Sequence, residues 1–116
     1  MNPPPHSNPQ ANLLKGNLEL ILLTLLQDEP KYGLEIVKEA AQRTGGYFNF
    51  KEGSLYPALH RLTQAKLLEA EFAYLPRGGS PVRFYRITEA GRKVLERKRQ
   101  EFEEFTRAVE ALTRPV

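Results

Sequence analysis

Residues 18–26 hold seven leucines or isoleucines in nine positions, spread over every angle of a helix. A helix apolar all round needs cover on more than one side. In so short a chain, a second subunit is the expected second cover. Asp28-Glu29-Pro30 ends the helix, because Pro30 disfavours the α region at Glu29. The pattern then predicts a second helix over residues 32–43, with Ile36, Val37, Ala40 and Ala41 as its apolar stripe and Gly45-Gly46 as its end. A third helix is predicted over residues 52–65, with Leu55, Leu59 and Leu62 inward. Its start is open: Ser54 is the better cap by residue type, while Glu52-Gly53 also fits the first turn. Pro57 belongs near the N-terminal end, where it removes no needed donor.

The period then shortens. Residues 68–74 and 82–87 are rich in aromatic and branched side chains and flank Leu-Pro-Arg-Gly-Gly-Ser-Pro, a stretch of turn formers. That pattern predicts a β-hairpin with a seven-residue loop. Thr88 is a good N-cap, and Glu89 suits the first turn of a last helix reaching about Leu112. Along it Leu95, Lys98, Phe102, Phe105, Val109 and Leu112 recur at steps of three and four, a short coiled-coil-like seam. The fold class is therefore mainly α with a small β-hairpin: a winged helix-turn-helix plus a long C-terminal dimerisation helix. Three parts are expected, namely a disordered, proline-rich tail over residues 1–12, the winged helix over 13–87 and the dimerisation helix over 88–116.

With 116 residues and no cysteine, disulfides, thiol nucleophiles and sulfur-ligated metal sites are excluded. Two histidines, His6 and His60, argue against a metal site, so no metal and no cofactor is expected. No apolar run approaches the roughly 20 residues of a membrane span, and residues 1–12 lack the features of a signal peptide. The cytoplasm is the expected compartment.

Net charge is only +3, but its placement matters. Between residues 45 and 87, Lys51, Arg61, Lys66, Arg77, Arg83 and Arg86 face only Glu52, Glu69 and Glu71; the flanking regions cancel. A local positive field is the footprint of a polyanion binder. At 100° per residue, the outward face of the third helix carries Gly53, Ser54, Pro57, His60, Arg61 and Gln64, with Tyr56 on its flank and Lys51 just before it. Hydroxyl, imidazole, guanidinium and amide are groups that reach base edges and phosphates. Gly53 and Ser54 would also let a phosphate approach the backbone. The hairpin adds Arg77, Arg83 and Arg86 with no acid from residue 75 to 87. A surface helix with an ordinary solvated face, or a winged helix used for protein contacts, remains the plainer alternative. His60 has no motif placing a nucleophile or carboxylate beside it, so catalysis is not expected.

Three segments carry a resemblance: Tyr32-Gly33-Leu34-Glu35-Ile36, then Glu52-Gly53-Ser54-Leu55-Tyr56-Pro57-Ala58-Leu59-His60-Arg61-Leu62, then Arg83-Phe84-Tyr85-Arg86-Ile87-Thr88-Glu89-Ala90-Gly91. Together and in this order they closely resemble the PadR family of bacterial transcriptional regulators. The resemblance implies a winged helix-turn-helix homodimer, usually a repressor, with double-stranded DNA as its partner. One helix after Glu89 makes the chain similar to the short subfamily. Some members respond to phenolic acids or hydrophobic drugs, so a small hydrophobic or phenolic effector is the further partner implied. Where the family usually has paired tyrosines this chain has Phe84-Tyr85, and it lacks the tryptophan on which drug-binding members stack planar ligands.

The expected DNA-contacting residues are thus Lys51, Gly53, Ser54, Tyr56, Pro57, His60, Arg61 and Gln64 on the third helix, with Arg77 and Arg83 on the wing. The expected dimer contacts are Leu18, Ile21, Leu22 and Leu25 of the first helix and Leu95, Phe102, Phe105, Val109 and Leu112 of the last.

Overall fold

The leucine-rich segment lies at the centre of the molecule because three other helices pack around it. The computed structural model describes residues 9–115. The chain runs α1 (Pro9–Leu25), β1 (Lys31–Tyr32), α2 (Gly33–Arg43), α3 (Glu52–Gln64), β2 (Leu68–Ala73), β3 (Val82–Ile87) and α4 (Glu89–Thr113). Of the expected tail, residues 1–8 lie outside the described residues. Residues 9–12 are helical and not tail, with Pro9 at the first helical position that suits its fixed φ.

Leu22, Leu23 and Leu26 are fully buried, packed in one core with Ile36 of α2, Leu55, Leu59 and Leu62 of α3, Tyr85 and Ile87 of β3, and Leu95 of α4. Each buried Leu contributes about 1.5–3 kcal/mol over exposure. This corrects the expectation that a second subunit must cover α1 at Leu18, Leu22 and Leu25: their own chain buries all three. Leu95 is buried in the same way.

The sheet has three antiparallel strands in the order β1-β3-β2. The added strand β1 pairs Lys31 with Tyr85 and Tyr32 with Phe84, and the Tyr32 and Phe84 rings meet edge-to-face at 5.3 Å. Lys31 is only 6% exposed. Its ammonium donates to the Leu25 carbonyl at 2.8 Å and lies 3.8 Å from Glu39, so the buried charge caps α1 and pairs with α2. The hairpin loop begins at Tyr74, which was expected within the strand.

Helix ends follow local chemistry. Gly45 and Gly46 have positive φ, and the Gly46 amide returns to the Ala41 carbonyl to close α2. α3 closes with the corresponding return from the Leu67 amide to the Leu62 carbonyl, and the Lys66 amide donates to the Thr63 carbonyl, but the left-handed position is Lys66 at φ 65° where glycine is usual. Pro57 lies in the second turn of α3, deeper than expected, and leaves the Gly53 carbonyl without its helical donor. Thr88 caps α4 as expected, accepting from the Gly91 amide at 3.0 Å. It also welds α4 to the end of α3, since its hydroxyl donates to the Lys66 carbonyl at 2.8 Å and its amide to the Leu67 carbonyl at 3.0 Å. Gly91 completes this joint: a Cβ there would strike the Leu67 carbonyl and come within 2.8 Å of Ile87.

Candidate nucleic-acid interface

The wheel drawn for α3 holds. Leu55, Ala58, Leu59 and Leu62 are buried, whereas Gly53, Ser54, Tyr56, Pro57, His60, Arg61 and Gln64 are exposed. Lys51 is the N-cap residue, exposed and without a side-chain cap bond, so the helix starts at Glu52 and Ser54 is not its cap. Glu52 adds one exposed acid at that end. Tyr56 is held by α2: its ring lies directly against Gly33, where a Cβ would come within 2.9 Å of ring carbons. Glycine at position 33 is thus what lets Tyr56 flank the helix. Glu35 fixes the start of α2 by accepting from the Tyr32 amide at 3.2 Å. Arg61 points towards α1 and α4, lining a shallow cleft with Lys15, Leu18 and Phe102.

Directly opposed residues of antiparallel strands share one side of the sheet. The pairs Leu68–Ile87, Ala70–Tyr85 and Phe72–Arg83 therefore form the side packed on α3. The pairs Glu69–Arg86, Glu71–Phe84 and Ala73–Val82 form the back. Charge divides with them. Arg86 is engaged by Glu69 across the strands, which removes it as a free cation. Arg83 has no ion pair among the described residues, and its guanidinium lies 5.6 Å from the Tyr85 ring centroid, in cation–π range. Burial pushes the Tyr85 phenol above its ordinary value, with Arg83 pulling it down and Tyr56 pushing it up, so the ring stays a neutral platform. Arg77 is exposed on the loop, beside Gly78 and Gly79 at φ 83° and 92°.

Sequence reasoning passed over Phe72 and Tyr74, both exposed on this wing. The available signal was the alternation of β2 itself, which extends one side of the strand past the last core residue.

A second surface lies on α4 and α1, adjoining the first at the cleft that Arg61 and Phe102 line. Phe102, Phe105, Val109 and Leu112 of α4 are exposed. Beside them runs a cleft of about 570 Å³ walled mainly by apolar groups, among them Leu13, Leu20, Ile21, Tyr47, Phe48 and Phe102. Lys98, inside the seam, instead pairs with Glu19 of α1 at 3.4 Å. Among the described residues no group of acids and histidines could hold a metal ion, and no helix is long and apolar enough to cross a membrane.

Residues 22–97 match the model of the transcriptional regulator PadR-like family, more than half of the chain. A protein of Lysinibacillus sphaericus, described only as uncharacterized, is 33% identical over 95 residues, covering 82% of this chain and 86% of that one. A PadR-like transcriptional regulator from Bacillus cereus has a similar structure, with TM-score 0.78 and 30% identity over 90% of this chain and 99% of its own. A transcriptional regulator from Clostridium thermocellum gives TM-score 0.80 at 26% identity, covering 89% of this chain and 99% of its own.

Proposed function

The chain belongs to the PadR-like family of transcriptional regulators, and from that premise we propose that it is a repressor acting as a homodimer on a pseudo-palindromic operator. The observation that carries this is the exposed side of α3 beside Arg83, which has no ion pair among the described residues. Ser54, His60 and Gln64 stand where reach to base edges in a major groove is natural. Lys51, Arg77 and Arg83, with the small residues Gly53 and Ser54 at the start of α3, suit phosphate contact. Tyr56 and Pro57 shape the flank of the same face. Arg61, turned towards α1 and α4, sits between the two roles.

The homodimer is supported by the bare stripe of α4 and the apolar cleft next to it, since one chain offers both halves of an isologous contact. Phe102, Phe105, Val109 and Leu112 would enter the partner's cleft along Ile21. Leu18, Leu22, Leu25 and Leu95 lie beneath that contact as its support. A small hydrophobic or phenolic effector of the kind the family resemblance implies would meet this chain in the same cleft, whose aromatic wall is Tyr47, Phe48 and Phe102. The bacterial cytoplasm is the corresponding compartment.

The test is selection of duplexes from a random-sequence pool by the full chain. A palindromic motif is expected, with half-sites about one helical turn apart or a multiple of it. Inserting about five base pairs between half-sites turns one to the opposite side of the duplex, and affinity should fall to the non-specific level. Enrichment of no motif would overturn the proposal and leave the winged helix as a protein-interaction module.

A further inference from the structure

The wing carries two large apolar side chains that the fold does not use. Phe72 is 70% exposed and Tyr74 is 74% exposed. Phe72 and Arg83 form the outermost of three cross-strand pairs on the α3 side of the sheet. The inner two, Leu68–Ile87 and Ala70–Tyr85, belong to the core or pack on it. The third runs off the core's edge. Both carboxylates of β2, Glu69 and Glu71, are on the back. The front is therefore free of acid, and a bare aromatic ring stands beside a guanidinium held by Tyr85. Leaving such a ring in water, next to an unpaired cation and continuous with α3, suits a surface that is itself anionic at its walls and apolar within. A duplex minor groove has that character: phosphates line it, and sugars and stacked bases form its interior.

We infer that Phe72, with Tyr74 beyond the strand's end, is an apolar wedge that the wing inserts into the minor groove, partly unstacking one base step while Arg83 holds the adjacent backbone. The inference rests on the DNA-binding reading above. Its consequence is a preference that no base hydrogen bond explains. Pyrimidine–purine steps open easily, so the wing selects them under the wedge by their deformability, as other apolar wedges do in minor grooves.

The experiment uses the full chain and a duplex it has enriched from a random-sequence pool, carrying 2-aminopurine at successive positions flanking each half-site. The unmodified chain should brighten the probe at one flanking step, and the enriched flanks should be rich in TA or CA/TG there. Phe72→Ser should abolish the brightening and the flank preference and weaken binding about tenfold, the scale of one base–aromatic contact. The salt dependence should stay as it was. Phe72 is exposed, so its replacement does not threaten folding, and Phe72→Leu should keep the wedge. If Phe72→Ser binds and brightens the probe like the unmodified chain, the wedge is wrong while DNA binding stands. If the unmodified chain enriches no duplex at all, the DNA-binding reading falls and takes the wedge with it.

Discussion

α3 and the outer half of α4 are both amphipathic helices with one bare side, and the bare sides are opposite in kind. On α3 the apolar residues are buried, and the exposed side carries His60 and Gln64 beside Arg61, which has no ion pair among the described residues. On α4 several charges pair with one another along the helix. Arg97 pairs with Glu101 at 3.6 Å, Arg99 with Glu96 and Glu103 at 2.6 Å each, and Arg114 with Glu110 at 3.7 Å. What α4 also leaves bare is apolar: Phe105 is 67% exposed and Leu112 87%. A cation without a partner gains most from a phosphate. A helix with several of its charges paired internally and an exposed apolar stripe gains most from another apolar surface. One chain thus carries the two kinds of demand on two different helices, which meet at the cleft that Arg61 and Phe102 line.

The largest test of that contrast is on α4. Burying one Phe contributes about 1.5–3 kcal/mol, and a two-fold axis counts it twice. Phe102→Ala combined with Phe105→Ala should convert a dimer into a monomer at micromolar concentration, read by light scattering. An unmodified chain that is already monomeric would erase the assigned role of α4.

Next comes Arg83→Ala. Each lost phosphate contact lowers the log–log salt slope by about 0.9 per subunit. Operator and random duplex should weaken together, and titration of both at several salt concentrations shows it. An intact slope with only operator binding affected would mean that Arg83 reads sequence or shape.

Smaller and more selective effects belong to α3. Gln64→Ala or His60→Ala should erode the ratio of specific to random binding by about 1–3 kcal/mol per base pair read, with the slope unchanged. Equal losses on both duplexes would move these residues to the backbone class.

The smallest effect concerns the charges that α4 settles internally. The hydrogen bond from Arg99 holds the Glu96 carboxyl below its usual range. A lowered folded value means stability that is present above the ordinary carboxylate range and lost as pH falls through the folded value. The pair is fully solvated, so Glu96→Gln should cost little at neutral pH and nothing in acid, checked by denaturant titration at both. A large loss at neutral pH would show that α4 depends on its charge ladder.

The contrast between the helices was legible in the sequence because a 3.6 period places Leu55, Leu59 and Leu62 together and leaves His60 and Gln64 opposite. Thr88 was legible as a cap because that bond is local, to the Gly91 amide, whereas its second bond, to the Lys66 carbonyl, spans 22 residues and leaves no local pattern. What covers Leu18, Leu22 and Leu25 was not: a pattern apolar all round demands cover without saying whether it comes from α2, α3 and α4 or from another chain. β1 spans two residues, too few for any period. Lys66 hides its left-handed turn because glycine is the usual sign of one. Phe72 reads as ordinary strand alternation until the register shows that its side of the sheet outlasts the core.

The joint at Thr88 and Gly91 has a mechanical consequence. α4 has 25 residues, which at 1.5 Å per residue makes a rod of about 37 Å. Its root is tied to the turn that follows α3 through the Lys66 and Leu67 carbonyls. A tilt of only about 5° at the root moves the far end of such a rod by about 3 Å, and the converse holds equally. Whatever grips the outer half of α4 therefore pulls on the free end of a rod whose inner half is anchored to α1 through Lys98 and Glu19 and to the turn after α3 through Thr88.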